Sequence, residues 1–424
     1  MKRRRFLAGL FGGAGMAAAP CLARSAGAPR GKVVVVGGGY GGATAAKYLR
    51  VFSAHALDVT LVEPAQAFVS SPLSNLVLGG SRGMADITVP YDGLVRRHGV
   101  RHVRDAAVGI DAERRRVRLA NGSALPYDRL ILSPGIGFMW DQLPGMSRPG
   151  ARDQVLHAWQ AGPQTSALRR QIEAMPDGGV YALTIPLAPY RCPPAPYERA
   201  CQVAWYLRRH KPRAKVLVFD ANPDLTSEAD LFRQAWDEHY AGIIEYQSQF
   251  NAVDVDAAQR TAFFELGETI RADVLNMLPP MRAGAVAVDA GLATANGRWC
   301  EVDFLTFESR VAAGIHILGD AIQIAPQMPK SGHMANQHGK VCAAAVWALL
   351  SGQPVNPLPL YANTCYSFTT DREVMHVASV HRYDAAQKTM LPVPGAGGLS
   401  AAASAEELPH ALGWAANIWA DMLG

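Results

Sequence analysis

The chain has 424 residues, 49% of them hydrophobic and 18% charged, with 40 glycines and 28 prolines. This balance excludes a disordered, collagenous or multi-span membrane chain and leaves room for two or three globular domains. The formal charge of +5 would suit a polyanion partner, but Lys2, Arg3, Arg4, Arg5 and Arg24 account for it; the remainder is balanced, without a basic run, and argues against nucleic-acid binding.

A basic start, an apolar Gly/Ala-rich run from Phe6 to Ala19 and small residues from Ala23 to Ala26 read as a signal peptide over residues 1–25, too short to span a bilayer. Lys2-Arg3-Arg4-Arg5-Phe6-Leu7 resembles the twin-arginine export signal, which implies a periplasmic destination; an ordinary export signal is the alternative. No transmembrane segment is expected in the mature chain. Cys21 leaves with the leader, so Cys192, Cys201, Cys300, Cys342 and Cys365 remain. They form no C-x-x-C and no C-x-x-C-H, so neither a thioredoxin-type motif nor an attached haem is expected.

Lys32 to Val36 is a β-branched run, Gly37-Gly38-Gly39-Tyr40-Gly41-Gly42 turns the chain, and Ala43 to Phe52 reads as a helix before a second strand, Val59 to Glu63. The pattern is G-x-G-x-x-G in a strand-turn-helix setting: Gly37 makes the turn, Gly39 lets a pyrophosphate approach, and Gly42 lets helix and strand pack closely. The helix N-terminus favours the phosphates. Glu63 is placed to accept from an adenosine ribose lacking a 2′-phosphate.

Tyr127-Asp128-Arg129-Leu130-Ile131-Leu132-Ser133-Pro134-Gly135 reads as the strand and turn that return the chain from this first unit. Far downstream, Gly314-Ile315-His316-Ile317-Leu318-Gly319-Asp320-Ala321 resembles the second FAD motif of two-dinucleotide-domain flavoproteins, in which the acid binds the ribityl chain. That implies FAD. Lys330-Ser331-Gly332 then opens a long helix to about Leu350, and the resemblance aims its N-terminus at the flavin. Such folds insert a second Rossmann-like unit for a nicotinamide. Here the strand Val180 to Leu183 is followed by Thr184-Ile185-Pro186-Leu187-Ala188-Pro189-Tyr190-Arg191-Cys192-Pro193-Pro194, whose prolines lack the N–H donors of a phosphate cradle. The inserted unit is expected to keep its shape without its nicotinamide.

Four stretches carry a closer resemblance: Tyr190 to Ala200, Leu278 to Gly284, Met328 to Gly332 and Asn363 to Ser367. Through them the chain resembles the flavoprotein subunit of flavocytochrome c sulfide dehydrogenase, within the sulfide:quinone reductase-like flavoproteins. The resemblance implies that Cys192 and Cys365 form a redox-active disulfide beside the flavin, that Glu198 handles protons and that Trp414 packs near the ring. Buried free thiols or a structural cross-link remain the alternatives for the cysteines. Ser71 stands where better-known members carry the cysteine that links FAD, so FAD is expected to be held non-covalently. Cys201 reads as a buried thiol, and His333 and His338 as polar packing.

The expected fold is α/β, with two Rossmann-like dinucleotide-binding domains and a C-terminal α+β interface domain. The divisions are 30–145 and 274–348 for the FAD-binding domain, 146–273 for the inserted domain and 349–424 for the interface domain. Expected cofactor-binding residues are Gly37, Gly38, Gly39, Gly42, Glu63, Gly135, Gly319, Asp320, Lys330, Ser331, Gly332 and Trp414; Cys192, Cys365 and Glu198 are the catalytic candidates, and no metal site is expected. The resemblance implies sulfide oxidation to zero-valent sulfur or polysulfide, with a separate c-type cytochrome subunit as acceptor. A sulfide:quinone oxidoreductase, or an accessory thiol-redox flavoprotein of a sulfur-oxidising system, are the alternatives.

Overall fold

The computed structural model describes residues 31–424; the expected leader lies outside them. The run Lys32–Val36 forms the centre of a five-stranded parallel sheet because Val33 to Val36 can be buried on both faces, as a sheet covered by helices requires. Its strand order is Ile315–Ile317, Arg129–Leu132, Lys32–Val36, Asp58–Val62 and Arg101–Val103. The chain runs outward from the central strand through the helix Tyr40–Phe52 to Asp58–Val62 and Arg101–Val103, then returns to the opposite side at Arg129–Leu132. This reversal makes a topological switch point at the carboxyl ends of the strands, where α/β sheets open a crevice.

The second sheet is also parallel, in the order Ile244–Ser248, Lys215–Asp220, Val180–Ile185 and Val274–Met277. Val274–Met277 pairs with Val180–Ile185, so the inserted domain extends past the expected boundary at 273. The run Val274 to Met277 is buried throughout, and it completes the sheet it borders. The third unit is an antiparallel sheet of Leu360–Phe368, Val374–Asp384 and Thr389–Leu399, followed by the helix Leu408–Leu423. That helix is tied to the FAD-binding domain through Asp421, which accepts from Tyr48 Oη at 2.6 Å and Asn336 Nδ2 at 2.9 Å and pairs with Lys340 at 2.9 Å. Among the described residues no helix is long and apolar enough to cross a membrane.

Candidate functional site: a cofactor crevice with two cysteines

The first glycine turn is dictated by close contacts. A Cβ on Gly42 would lie 1.9 Å from Gly37 O, and one on Gly37 would lie 2.3 Å from Ser133 O, at a φ of +96° that side chains disfavour. Gly39, by contrast, has open space where its Cβ would stand, and it lines a cavity of about 480 Å³. Glu63 also lines this cavity while its carboxylate accepts from Gly38 N at 2.8 Å and Ala65 N at 2.9 Å, which fixes the acid at the end of the second strand. Gly135, Gly319 and Asp320 complete the crevice from the ends of the two strands on the other side of the switch point.

Asp320 is the clearest sign of a missing partner. Its Oδ1 is buried and accepts no hydrogen bond from the protein, and desolvation pushes its carboxyl upward against the pull of Arg191 and Lys330. A hydroxyl-bearing ligand would satisfy it. Ser331, Gly332 and His333 bring the N-terminus of the helix Gly332–Ser351 to the same cavity. Ser331 Oγ caps that helix by accepting from Met334 N at 3.1 Å and donates to Asn363 Oδ1 at 2.5 Å. A helix N-terminus, an unsatisfied acid and a glycine floor together fit a flavin dinucleotide.

Lys330 departs from its expected place. Its Nζ turns away from the cavity, donates to Asp320 O at 3.0 Å and Ile322 O at 2.5 Å, and sits 3.8 Å from the centre of the Trp299 ring. Burial lowers its ammonium to about 7. Its contribution to the site is through the backbone: Lys330 O accepts from Cys192 N at 2.7 Å and pins the inserted domain's proline loop to the start of the flavin-facing helix. Gly37, Gly38 and Gly42 likewise shape the turn without lining the cavity.

Cys192, Cys365 and Glu198 converge on the cavity from three elements: the loop after Val180–Ile185, the strand Leu360–Phe368 and the first turn of the helix Ala195–His210. Both thiols are free in this structure, so the implied disulfide is not formed. Cys192 takes a left-handed backbone, φ 59°, uncommon for a side chain outside glycine, asparagine and aspartate. Burial raises both thiols, that of Cys192 well above its ordinary value and that of Cys365 to about 12, and each feels the Glu198 charge. Cys365 also meets the Asn363 side-chain amide at 3.5 Å.

Glu198 is lifted to about 7 by burial, opposed by hydrogen bonds from Asn75 Nδ2 at 2.6 Å and Phe368 N at 3.1 Å. Asn75 is held in turn by Arg199, whose Nε donates to Asn75 Oδ1 at 3.0 Å and whose remaining donors reach His157 O, Ala158 O and Asn276 Oδ1. Asn75 is marked by no spacing or motif, and Arg199 lies within the stretch Tyr190 to Ala200 without a role assigned to it. Trp414 lines the cavity beside Tyr366 and donates to His333 Nδ1 at 3.3 Å. Ser71 also faces the cavity, its hydroxyl accepting from Arg191 Nη2 and Ala161 N, both at 3.4 Å.

At the corresponding place the inserted domain carries a proline loop and an acid that is already engaged. Asp220 ends its second strand as Glu63 does, but its carboxylate is buried among Tyr197 Oη at 2.8 Å, Tyr246 Oη at 3.1 Å and Asn222 N at 2.9 Å. Tyr190 and Tyr197 are buried there, their hydroxyls 3.4 Å apart. Cys201 is buried and accepts from Trp236 Nε1 at 3.2 Å.

Fold and site thus define a flavoprotein of the pyridine nucleotide–disulphide oxidoreductase type, and the model of that family matches residues 31–174. Two further models match, the central region of the sulfide dehydrogenase (flavocytochrome c) flavoprotein chain over 165–279 and the flavin-binding region of flavocytochrome c sulphide dehydrogenase over 357–423. The chain belongs to the family of flavocytochrome c sulfide dehydrogenase flavoprotein chains. It is 61% identical over 46 residues to the sulfide dehydrogenase flavoprotein chain of Chlorobaculum thiosulfatiphilum, a match covering 11% of this chain and 94% of that sequence. It is 25% identical over 303 residues to the mitochondrial sulfide:quinone oxidoreductase of Dictyostelium discoideum, covering 68% of this chain and 65% of that protein, under two thirds of its length. The solved sulfide:quinone oxidoreductase of Aquifex aeolicus shares the fold, with a TM-score of 0.74, 18% identity and 92% and 91% of the two chains covered.

Proposed function

We propose that the protein is the FAD-dependent flavoprotein subunit of a periplasmic sulfide dehydrogenase, oxidising sulfide to zero-valent sulfur or polysulfide and passing electrons to a c-type cytochrome. The observation that carries this reading is the meeting of Cys192, Cys365 and Glu198 in the cavity built by the FAD motifs. Gly39, Glu63, Gly135, Asp320 and the Ser331–Gly332 helix start would hold the cofactor, non-covalently because Ser71 offers no thiol. FAD, when bound, supplies the two-electron sink that restores the disulfide and can release electrons singly to a haem.

The side chains supply the remaining chemistry. In the oxidised protein, hydrosulfide attacks one sulfur of a Cys192–Cys365 disulfide; that S–S bond breaks, one cysteine becomes a persulfide and the other leaves as thiolate. Glu198, titrating near neutrality, takes the proton that sulfide loses. Arg191 stands beside Cys192 and favours its anionic form. Anaerobic titration with sulfide tests the reading: the flavin band should bleach and added periplasmic cytochrome c should be reduced faster than short-chain quinones. Acid or heat denaturation should release FAD into the supernatant.

The Aquifex fold match over nearly the whole chain favours a second reading, sulfide:quinone oxidoreductase. Efficient quinone reduction with no response from any periplasmic cytochrome would establish it. Flavin bleaching by thiols without sulfide turnover would point instead to an accessory thiol-redox role.

A further inference from the structure

Glu228 is a buried carboxyl that the chemistry above does not use. It stands at the N-terminal boundary of the helix Ala229–His239, where an acid ordinarily caps the first backbone N–H groups. It makes no such bond. Its backbone is instead left-handed, φ 54°, and its side chain is buried against the third domain. There Oε2 accepts from Ser367 Oγ at 3.2 Å and from Ser227 Oγ at 3.5 Å, while Oε1 is buried without a partner. Ser367 lies on the strand that carries Cys365 and lines the cofactor cavity. Ser227 is half-buried and the next residue outward, Thr226, is exposed. A continuous file of exchangeable protons therefore leads from the cavity through Ser367, Glu228 and Ser227 to the surface.

We propose that Ser367, Glu228 and Ser227 form the proton exit of the sulfur-oxidising site. The inference rests on the sulfide reading: each hydrosulfide oxidised to zero-valent sulfur gives up one proton and two electrons, the electrons would pass by way of the disulfide and FAD to the acceptor, and one proton per turnover must leave a cavity lined by residues of three domains. Glu198, which faces the cavity, is the first acceptor; Ser367, which lines the same cavity, passes the proton to Glu228, the second. The ionisable groups whose fields meet at Glu228 are Glu198 and Cys365. No lysine, arginine or histidine pairs with Glu228 among the described residues. Burial lifts Glu228 to about 8, so it holds and releases a proton near neutrality rather than remaining a fixed charge.

The test compares FAD-loaded wild type with Glu228→Gln and Ser367→Ala, checked for wild-type FAD content. Steady-state sulfide oxidation with cytochrome c or ferricyanide as one-electron acceptor should be slowed on the order of 10²-fold in Glu228→Gln, with a smaller slowing in Ser367→Ala and partial recovery in Glu228→Asp. A second readout needs no sulfide: the pH dependence of iodoacetamide labelling at Cys365, read by mass spectrometry. An ionised Glu228 raises the Cys365 thiol, so the labelling midpoint should move to lower pH in Glu228→Gln. If the midpoint moves while the rate with sulfide stays at wild type, Glu228 is an electrostatic neighbour and the exit is refuted. Should wild type fail to respond to sulfide, the sulfide reading fails separately, and an unmoved labelling midpoint would then refute Glu228's coupling to the site. Where Glu228→Gln does not fold, Ser227→Ala interrupts the same file from the solvent end, and an unchanged sulfide rate there refutes it.

Discussion

The two Rossmann-like sheets have the same strand–turn–helix beginning and opposite chemistry in the turn. After Lys32–Val36 the chain folds on glycines whose contacts admit no side chain, leaving Gly39 open to a cavity. After Val180–Ile185 it folds on prolines and buries Tyr190 and Tyr197. The acids at the ends of the second strands diverge likewise: Glu63 lines the cavity, whereas Asp220 is consumed by two tyrosines and an asparagine. A phosphate cradle needs free N–H groups and room, and the second sheet has exchanged both for a stiff loop that delivers Cys192 to the first sheet's crevice. One fold thus serves once as a cofactor holder and once as an arm for a thiol.

The comparison is tested most severely at the end of that arm. Cys192→Ser or Cys365→Ser should leave FAD bound and lower sulfide-driven flavin bleaching by roughly 10⁴-fold or more, the scale for removing one member of a catalytic unit. Retained bleaching in Cys192→Ser would mean that the proline loop only fills space. At the other sheet, Gly42→Val forces a side chain against Gly37 O and should yield protein purified without FAD, as judged by the 450 nm to 280 nm absorbance ratio. NADH and NADPH should leave the wild-type flavin oxidised; prompt bleaching by either would break the contrast between the two turns.

These contrasts differ in how far the amino-acid sequence reveals them. The glycine turn is legible because backbone contacts alone demand it, and the proline loop because proline removes donors wherever it stands. Proximity of Cys192 to Cys365 is not legible from spacing, since strands of two domains must meet before the thiols share a cavity; only the resemblance pointed there. Lys330 shows how little a motif says of one side chain: its neighbours Ser331 and Gly332 open the helix that faces the cavity, while its own side chain goes the other way, over Trp299. Asn75 and Glu228 carry no motif, and the roles of these residues and of Arg199 are hidden in the sequence because polar residues are ordinarily solvated; their burial arises from the meeting of three domains. Val274–Met277, just past the division at 273, reads as an apolar strand that either sheet could have taken, and its pairing with Val180–Ile185 assigns it to the second.

A gentler test uses the proton held where arm and crevice meet. Glu198 titrates at about 7 in the folded chain, against 4.5 for an unperturbed carboxyl. Between those values the folded state keeps a proton that the unfolded state has lost, so stability is full below about pH 4.5 and declines as pH rises to about 7. At about 1.4 kcal/mol per unit, the decline from Glu198 is roughly 3 kcal/mol. Glu228, at about 8, adds a slope of the same sign. Urea melts of flavin-stripped protein at stepped pH should therefore lose midpoint steadily, and Glu198→Gln should remove its own share of the slope and reduce that of Glu228, which the Glu198 charge helps to raise. A slope unchanged by Glu198→Gln would mean that the carboxyl is hydrated rather than buried at the junction.

The smallest expected effect lies at the buried acid that ends the second sheet's second strand. Tyr197 Oη donates to Asp220 Oδ2 at 2.8 Å and accepts from Thr226 N at 3.0 Å, so Tyr197→Phe leaves a buried acid with one donor fewer and a backbone N–H unpaired. The cost should be about 1 to 3 kcal/mol of unfolding free energy. Because this network replaces a ligand rather than holding one, the loss should appear as a lower urea midpoint with FAD content and the rate of flavin bleaching by sulfide unchanged. Asp220→Asn should cost a comparable amount: the neutral amide removes the desolvation burden of the charge but must place a donor where the carboxylate accepted from tyrosine. If either variant instead gained measurable affinity for NADH, the tyrosines would be a plug over an intact dinucleotide site, and the second sheet would differ from the first by one removable side chain rather than by the whole construction of its turn.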